Sequence, residues 1–147
     1  MFKHILVPTD GSRLSVKAAK QAAKLAKALG ARITGFYAAP DVGSTYYGDG
    51  YILRAPSAKA QAEFSQEQTR KCLSVIEVEA EVEKVPCEVF HVVVDSPYEA
   101  IIDAAKKKKC DLIFMASHGR RGLSGLVLGS ETQKVLIHCK IPVLVCR

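Results

Sequence analysis

The segment that precedes the last predicted helix has the composition of an anion-binding loop. Its glycines are Gly119, Gly122, Gly125 and Gly129, and Ser130 follows directly. Glycine allows a positive φ and lets an anion approach without meeting a Cβ. The N–H groups at the start of a helix lack partners, and the helix dipole favours negative charge there. The pattern favours phosphate binding; the alternative is that the glycines only shape turns and Ser130 only caps the helix.

A second polar segment follows the first apolar run of the chain. Thr9, Asp10, Gly11 and Ser12 come directly after residues 4–8, which predict a buried strand. In an open α/β sheet, ligands bind beyond the carboxyl ends of the strands, where the strand order reverses. Asp10 is therefore a candidate ligand residue. The alternative is that its carboxylate only accepts hydrogen bonds from its own turn.

The sequence contains no recognisable catalytic arrangement. It has neither the P-loop pattern G-x-x-x-x-G-K-[ST] nor G-x-G-x-x-G after its first strand. No serine has an identifiable histidine and carboxylate as partners, and no carboxylate pair is placed for acid–base chemistry. We expect no catalytic residues. Any hydrolysis of a bound polyphosphate should be slow, because no residue can be assigned to orient a water.

The five cysteines predict neither a disulfide framework nor a metal site. They are odd in number and scattered, and no C-x-x-C pair occurs. A metal cluster of His91, His138, Cys139 and Cys146 is the alternative. Apolar cysteines in helix and strand are favoured over it.

Charge and hydropathy indicate the expected surroundings of the protein. The formal net charge is +6, and part of the excess is the run Lys106–Lys109 at a predicted helix end. Cations are favourable there, and no aromatic residues alternate with them to stack on bases, so we expect no nucleic-acid partner. No run approaches the ~20 apolar residues of a membrane span, and the N-terminus lacks a signal-peptide pattern. We expect no membrane association and a cytoplasmic location.

Apolar runs and helical periodicity alternate along the chain. Short apolar runs predict strands buried on both faces, at 4–8, 31–39, 88–94, 111–116 and 141–146. Apolar spacing of three and four predicts the helices, at 13–29, 58–84, 96 to the lysine run, and 130–138. We therefore expect a single-domain α/β fold, a doubly wound five-stranded parallel sheet of order 3-2-1-4-5 with helices on both faces.

Several local signals define the helix ends and faces. Ser12 is the expected N-cap of the first helix, and Gly30 its C′ residue. Capping boxes are expected at Ser96–Glu99 and Ser130–Gln133. The second helix contains the alternating run 76–83, which we interpret as helix because a central strand could not bury four glutamates. Its expected inward face is Phe64, Cys72, Val75, Val78 and Val82.

Residues 41–57 interrupt the alternation. Three glycines and three tyrosines, with Pro56, predict a long flexible loop. A loop of this length in a compact domain is either a functional lid or a floppy surface segment.

The chain resembles the universal stress protein family along essentially its whole length. The resemblance rests on residues 5–12 (ILVPTDGS), on Ser96-Pro97, and on residues 141–145 (IPVLV). The nucleotide-binding branch of that family carries G-x-x-G, nine residues, then G-[ST]. The matching stretch here is residues 116–119 (ASHG), nine residues, then Gly129-Ser130.

The resemblance implies an adenine nucleotide, ATP or else ADP or AMP, with Mg or Mn bound through its phosphates. It implies phosphates at Gly119, Gly129 and Ser130. It implies adenosine against Pro8, Thr9 and Asp10, the end of the second strand near Ala38, and Met115. It also implies a homodimer through the C-terminal strand. The candidate ligand residues are Pro8, Thr9, Asp10, Ala38, Met115, Ala116, His118, Gly119, Gly129, Ser130 and Glu131.

One motif position departs from the family pattern. Alanine occupies position 116, where the nucleotide-binding branch has glycine. If the position requires a positive φ, Ala116 costs about 1 kcal/mol or more. If it only requires a small residue, the methyl group is tolerated, and we favour this second alternative.

Three functions follow from these observations. The first is a nucleotide-binding regulatory protein of the stress response. The second is a slow ATPase or phosphotransfer enzyme. The third is a dimerisation module without a ligand, which the presence of Gly119, Gly129 and Ser130 disfavours.

Overall fold

The computed structural model describes residues 1–41, 57–120 and 128–147. The predicted loop at 41–57 lies almost wholly outside these residues, as do Gly122 and Gly125. Strands and helices alternate through the described ranges. The strands are β1 (His4–Thr9), β2 (Arg32–Ala39), β3 (Cys87–Val93), β4 (Leu112–Ala116) and β5 (Val143–Cys146). The helices are α1 (Arg13–Leu29), α2 (Ala58–Val82), α3 (Pro97–Lys107) and α4 (Ser130–His138).

The five strands form one parallel sheet in the order β3-β2-β1-β4-β5. All four neighbouring pairs are parallel. The chain leaves β1 toward β2 and β3, then returns to the other side of β1 for β4 and β5, so the order reverses between β1 and β4. This confirms the predicted doubly wound fold and places its switch point between two segments with candidate ligand residues.

Helices cover both faces of the sheet. On one face, the small side chains of α1 and those of α2 pack against β1 and β4, around Ile5, Val7 and Phe114. On the other face, α3 and the inner side of α4 pack around Leu6, Phe36 and Ile113. The central strands are therefore buried on both faces, which explains their uninterrupted apolar runs.

Helix α1 ends as its sequence predicts. Ser12 is the N-cap, and its side chain accepts a hydrogen bond from the Ser15 amide at 3.2 Å. Gly30 has a φ of +60° and a ψ of +38°, the left-handed conformation of a C′ glycine.

Helix α2 corrects the predicted inward face. The run 76–83 is helical up to Val82, as expected. However, Phe64, Val78 and Val82 are 63%, 55% and 67% exposed. Cys72 is buried as expected, but the sheet and α1 otherwise cover a neighbouring apolar stripe of the helix. The buried residues of α2 are Thr69, Cys72, Leu73, Ile76 and Ala80.

Neither expected capping box forms. Ser96 is the N-cap of α3, with Pro97 at the first helical position, but its side chain makes no capping hydrogen bond. The Tyr98 amide instead donates to Glu131 Oε2 of α4 at 2.9 Å. At α4 the N-cap is Gly129, so Ser130 is already the first helical residue. Tertiary contacts between α3 and α4 thus replace the local pattern.

Other expectations concern charge and metals. The lysine run lies at the end of α3, where Lys108 Nζ contacts Glu88 Oε2 at 3.2 Å. Among the described residues, no group of three or more histidines, cysteines and acids could hold a metal ion, and the five cysteines are free thiols. None of the described helices is long and apolar enough to cross a bilayer.

Candidate functional site

The candidate site is built from two loops that leave neighbouring strands at the carboxyl edge of the sheet. One loop follows β1 and contains Asp10, Gly11 and Ser12. The other follows β4 and begins with Ser117. Since β1 and β4 are paired in parallel, the two loops emerge side by side. The sequence argument expected this adjacency, and the structure confirms it.

The first loop is a turn organised by its own side chains. Asp10 Oδ1 accepts a hydrogen bond from the Ser12 amide at 2.9 Å. Thr9 Oγ1 accepts one from the Gly11 amide at 3.1 Å and lies 3.1 Å from Ser15 Oγ. Gly11 has a φ of +76°, so the turn uses the conformational freedom of glycine.

The second Asp10 oxygen reaches the other loop. Asp10 Oδ2 accepts a hydrogen bond from the Arg120 amide at 2.7 Å. Burial by itself raises the pKa of Asp10, but the hydrogen bonds from Ser12, Arg120 and Ser15 outweigh it and lower this pKa below its ordinary value. The carboxylate is therefore ionised at neutral pH, and both of its oxygens are engaged.

The Arg120 side chain makes a further contact across the first loop. Its guanidinium contacts Cys72 Sγ of α2 at 3.8 Å. A Cβ on Gly11 would lie 2.8 Å from both that guanidinium and that sulfur. Burial raises the pKa of Cys72, so its thiol stays protonated. The sequence argument did not identify the contact of Arg120 with Cys72, because 48 residues separate them.

The start of α4 presents backbone amides beside the second loop. The Gly129 amide donates to the Ser117 carbonyl at 2.8 Å, and the Gln133 amide donates to the Gly129 carbonyl at 3.0 Å. The amides of Ser130, Glu131 and Thr132 lie between these two bonds in the chain and have no acceptor among the described residues. They are the donors that the positive end of the α4 dipole places toward an anion.

The motif glycines are needed for space and not for a positive φ. Gly129 has a φ of −60°, and in the described residues only Gly11 and Gly30 among the glycines have a positive φ. The expectation of a positive φ is therefore wrong for Gly119 and Gly129. A Cβ on Gly129 would lie 3.2 Å from the Ser117 carbonyl oxygen and the His118 Cα. The backbones of the second loop and of α4 are in close contact here, so a side chain at position 129 would have to push them slightly apart.

Ala116 fits where the family motif has glycine. It is the last residue of β4, is 7% exposed, and does not have a positive φ. Its carbonyl accepts a hydrogen bond from Thr132 Oγ1 at 3.0 Å. The alanine therefore introduces no backbone strain, in agreement with the favoured alternative.

His118 combines an engaged and an unengaged ring nitrogen. Its Nδ1 lies 2.8 Å from Ser117 Oγ. Its Nε2 is buried and has no hydrogen-bond partner among the described residues. A buried polar atom without a partner is costly, so it marks a place where a ligand group can supply the missing bond.

The remaining predicted ligand residues differ in their solvent exposure and in their contacts. Ala38 is half-buried near the end of β2, and Thr9 pairs with its neighbour Tyr37. Pro8 and Met115 are buried, and Met115 packs in the core with Leu6 and Phe36. Glu131 directs its carboxylate to the Tyr98 amide and to Lys134 Nζ at 2.9 Å each. Backbone atoms of these residues are thus better placed for a ligand than most of their side chains.

Comparison with known proteins assigns the whole chain to one group. The model of the universal stress protein family matches residues 1–147. A universal stress protein of Thermus aquaticus is 34% identical, with both chains covered completely. Universal stress protein MJ0531 of Methanocaldococcus jannaschii is 32% identical, over all of this chain and 83% of that protein.

Solved structures share the fold. Protein MJ0577 of Methanocaldococcus jannaschii superimposes with a TM-score of 0.76 at 25% identity, over 99% of this chain and 96% of that one. A universal stress protein in complex with cAMP gives a TM-score of 0.70 at 21% identity, over 99% and 97%. The universal stress protein of Archaeoglobus fulgidus in complex with dAMP gives 0.65 at 17%, over 100% and 98%.

Proposed function

The chain belongs to the universal stress protein family, and we propose that it binds an adenine nucleotide, ATP or else ADP or AMP, and acts as a regulatory module of the stress response. One observation carries the proposal: the amides of Ser130, Glu131 and Thr132 lack acceptors among the described residues, at the positive end of the α4 dipole. Two members of the same fold, in their complexes with cAMP and dAMP, hold nucleotides.

The phosphates are proposed to bind at the second loop and the start of α4. Ser130 and the two amides after it would donate to phosphate oxygens, and each bond to a charged group contributes about 1.5–3 kcal/mol. The Gly129 amide is engaged with Ser117, so Gly129 supplies no free donor and instead lets the loop after β4 pack closely against the start of α4. Gly119 lies close to the same place, since its nitrogen lies 3.7 Å from the Cβ position of Gly129. His118 Nε2 would donate one further hydrogen bond.

The adenosine is proposed to lie against the edge formed by β1 and β2. Thr9 and the half-buried Ala38 are near the ends of these strands. Pro8 and Asp10 flank Thr9 in the chain, and Met115 lies near the end of β4, the other neighbour of β1. Backbone groups supply the contacts of the buried residues. We propose Ala116 as a small residue that lets the ligand approach the end of β4.

A divalent ion, Mg or Mn, is proposed to bind through the phosphates. The described residues offer no cluster of three or more metal-ligating side chains, so the ligand oxygens would supply most of its coordination. The ion would neutralise phosphate charge. The described part of the site provides no residue to orient an attacking water, and we propose that hydrolysis is slow at most.

We propose that residues 1–147 act as one cytoplasmic domain, and that two copies pair through their β5 strands. β5 is an edge strand, and its Leu144 is 38% exposed. An uncovered apolar edge strand favours pairing with another chain. Leu144→Glu should convert a dimer to a monomer in sedimentation equilibrium. Val93→Glu on the opposite edge, where Val93 is 57% exposed, is the matched control and should leave the mass unchanged.

The function is tested by asking whether a nucleotide accompanies the protein. Native mass spectrometry of the purified protein, followed by calorimetric titration with ATP and Mg²⁺, should give one adenine nucleotide per chain. ADP and AMP titrated in parallel identify the resident form. Phosphate release at more than a trace rate would favour the slow ATPase instead. The absence of both bound nucleotide and binding heat would refute the proposal and leave a dimerisation module.

A further inference from the structure

In the part of the chain that the structure describes, one carboxylate accepts hydrogen bonds from both loops of the candidate site. Asp10 Oδ1 holds the Ser12 amide of the first loop at 2.9 Å, and Asp10 Oδ2 holds the Arg120 amide of the second at 2.7 Å. Each oxygen thus serves one loop. Hydrogen bonds to an ionised acceptor are about twice as strong as those between neutral groups.

Gly119 lies against this carboxylate. A Cβ built on Gly119 would lie 2.5 Å from Asp10 Oδ2, and the next nearest atom would be the Asp10 Cγ at 3.6 Å. No other heavy atom of the described residues, apart from its chain neighbours, comes within 4 Å of that position. Since Gly119 does not have a positive φ, its backbone conformation is open to alanine. Asp10 is therefore the specific obstacle to a side chain at position 119.

The same loop supports the start of α4. The Ser117 carbonyl holds the Gly129 amide at 2.8 Å, and the Ala116 carbonyl holds Thr132 Oγ1 at 3.0 Å. The order of contacts runs from the first loop through Asp10 to the second loop, and from there to the amides of α4. A change at Asp10 therefore reaches the proposed phosphate-binding amides without touching a phosphate.

We infer that Asp10 is a positioning residue that fixes residues 117–120, directly after β4, for anion binding. We infer further that position 119 requires glycine because of the Asp10 carboxylate and not because of a bound phosphate. The inference rests on the proposed function where it concerns nucleotide affinity. The hydrogen bonds of Asp10 to the Ser12 and Arg120 amides form without a ligand. The positioning role of Asp10 therefore does not depend on contact with a base or a ribose.

The first experiment separates positioning from contact with the adenosine. Asp10→Ala is titrated with ATP and, in parallel, with inorganic tripolyphosphate, each with Mg²⁺. A positioning residue should lower both affinities by the same factor, roughly tenfold or more for the loss of a charge-assisted bond. A loss of ATP affinity with unchanged tripolyphosphate affinity would overturn the inference in favour of direct contact. Equal affinities of wild type and variant for both would also overturn it.

The second experiment is a double-mutant cycle between positions 10 and 119. Gly119→Ala should weaken ATP binding in the wild type, because the methyl group meets Asp10 Oδ2. In the Asp10→Ala background, Gly119→Ala should add less than about a twofold loss, because its obstacle is gone. An equal loss in both backgrounds would mean that the phosphate itself requires glycine, and would overturn the inference.

A third readout needs no nucleotide. Amide hydrogen exchange of Arg120 should be faster in Asp10→Ala than in the wild type, while that of Gln133 within α4 should change little. If the wild type binds no nucleotide, the proposed function fails. This measurement still tests whether Asp10 holds the Arg120 amide. Unchanged exchange at Arg120 would show that Asp10 does not hold the second loop.

Discussion

The two edges of the parallel sheet differ in whether their polar groups have hydrogen-bond partners. At the amino edge, His4 is 4% exposed and both ring nitrogens are engaged: Nε2 lies 2.7 Å from Thr34 Oγ1, and Nδ1 lies 3.2 Å from an Arg32 guanidinium nitrogen. Thr34 Oγ1 donates to Glu88 Oε1 at 3.0 Å, and Glu88 contacts Lys108. At the carboxyl edge, three consecutive amides of α4 and His118 Nε2 have no partner among the described residues.

The bonds at the amino edge have one consistent direction. Arg32 can only donate, so His4 Nδ1 is the acceptor and Nε2 carries the proton. Nε2–H then donates to Thr34 Oγ1, whose own proton goes to Glu88. A network in which every member is satisfied stabilises the fold and offers nothing to a ligand. The carboxyl edge leaves donors open, and this difference supports the proposed placement of the ligand there.

The largest effect is expected from forcing apart the two backbones that meet at Gly129. Gly129→Val places a branched side chain against the Ser117 carbonyl and the His118 backbone, which should displace the loop after β4 from the start of α4. Loss of two or more bonds to a phosphate should lower nucleotide affinity at least about a hundredfold by calorimetry, with the protein still folded. Gly30→Asn is the matched control, since Gly30 lies at the amino edge in open space, and asparagine tolerates its φ of +60°. Unchanged binding by Gly129→Val would refute the phosphate placement.

A smaller effect is expected from opening the amino-edge network. Thr34→Val preserves the shape of a fully buried side chain but leaves His4 Nε2 without an acceptor. The free energy of unfolding in urea should fall by about 1–3 kcal/mol, with nucleotide affinity unchanged. Thr34→Ser retains the hydroxyl group and should recover most of the loss that is due to the hydrogen bond. An unchanged unfolding free energy in Thr34→Val would contradict the prediction, because it would show that the hydrogen bond to His4 does not stabilise the fold.

The smallest expected effect is a pH dependence at the same edge. Burial, and next the positive charge of Arg32, lower the pKa of His4 from its ordinary value of 6.5, against the opposing charges of Glu88 and Asp111. A histidine whose folded pKa lies below its unfolded pKa stabilises the fold above the unfolded value, near pH 6.5, and this contribution is lost as the pH falls below it. The unfolding free energy of the wild type should therefore decline relative to that of His4→Gln between pH 7 and pH 5. Parallel profiles would contradict it.

Local patterns decided most of the elements before any tertiary contact was known. Ser12 and Gly30 cap α1 because their preferences act within one helical turn. The buried strands followed from apolar runs that only a two-sided sheet can cover. The family motif likewise placed Gly119, Gly129 and Ser130 together near the start of α4. Whether they bind a nucleotide remains a prediction.

What the sequence could not determine is what each group meets across the fold. Helix α2 had two apolar stripes, and only packing on the sheet and α1 decided that Cys72, and not Phe64, turns inward. Gly119 requires no unusual φ; it is constrained by a carboxylate 109 positions earlier in the chain. Spacing along a chain reports local conformation, whereas steric contact between distant loops depends on a register that exists only once the sheet has formed.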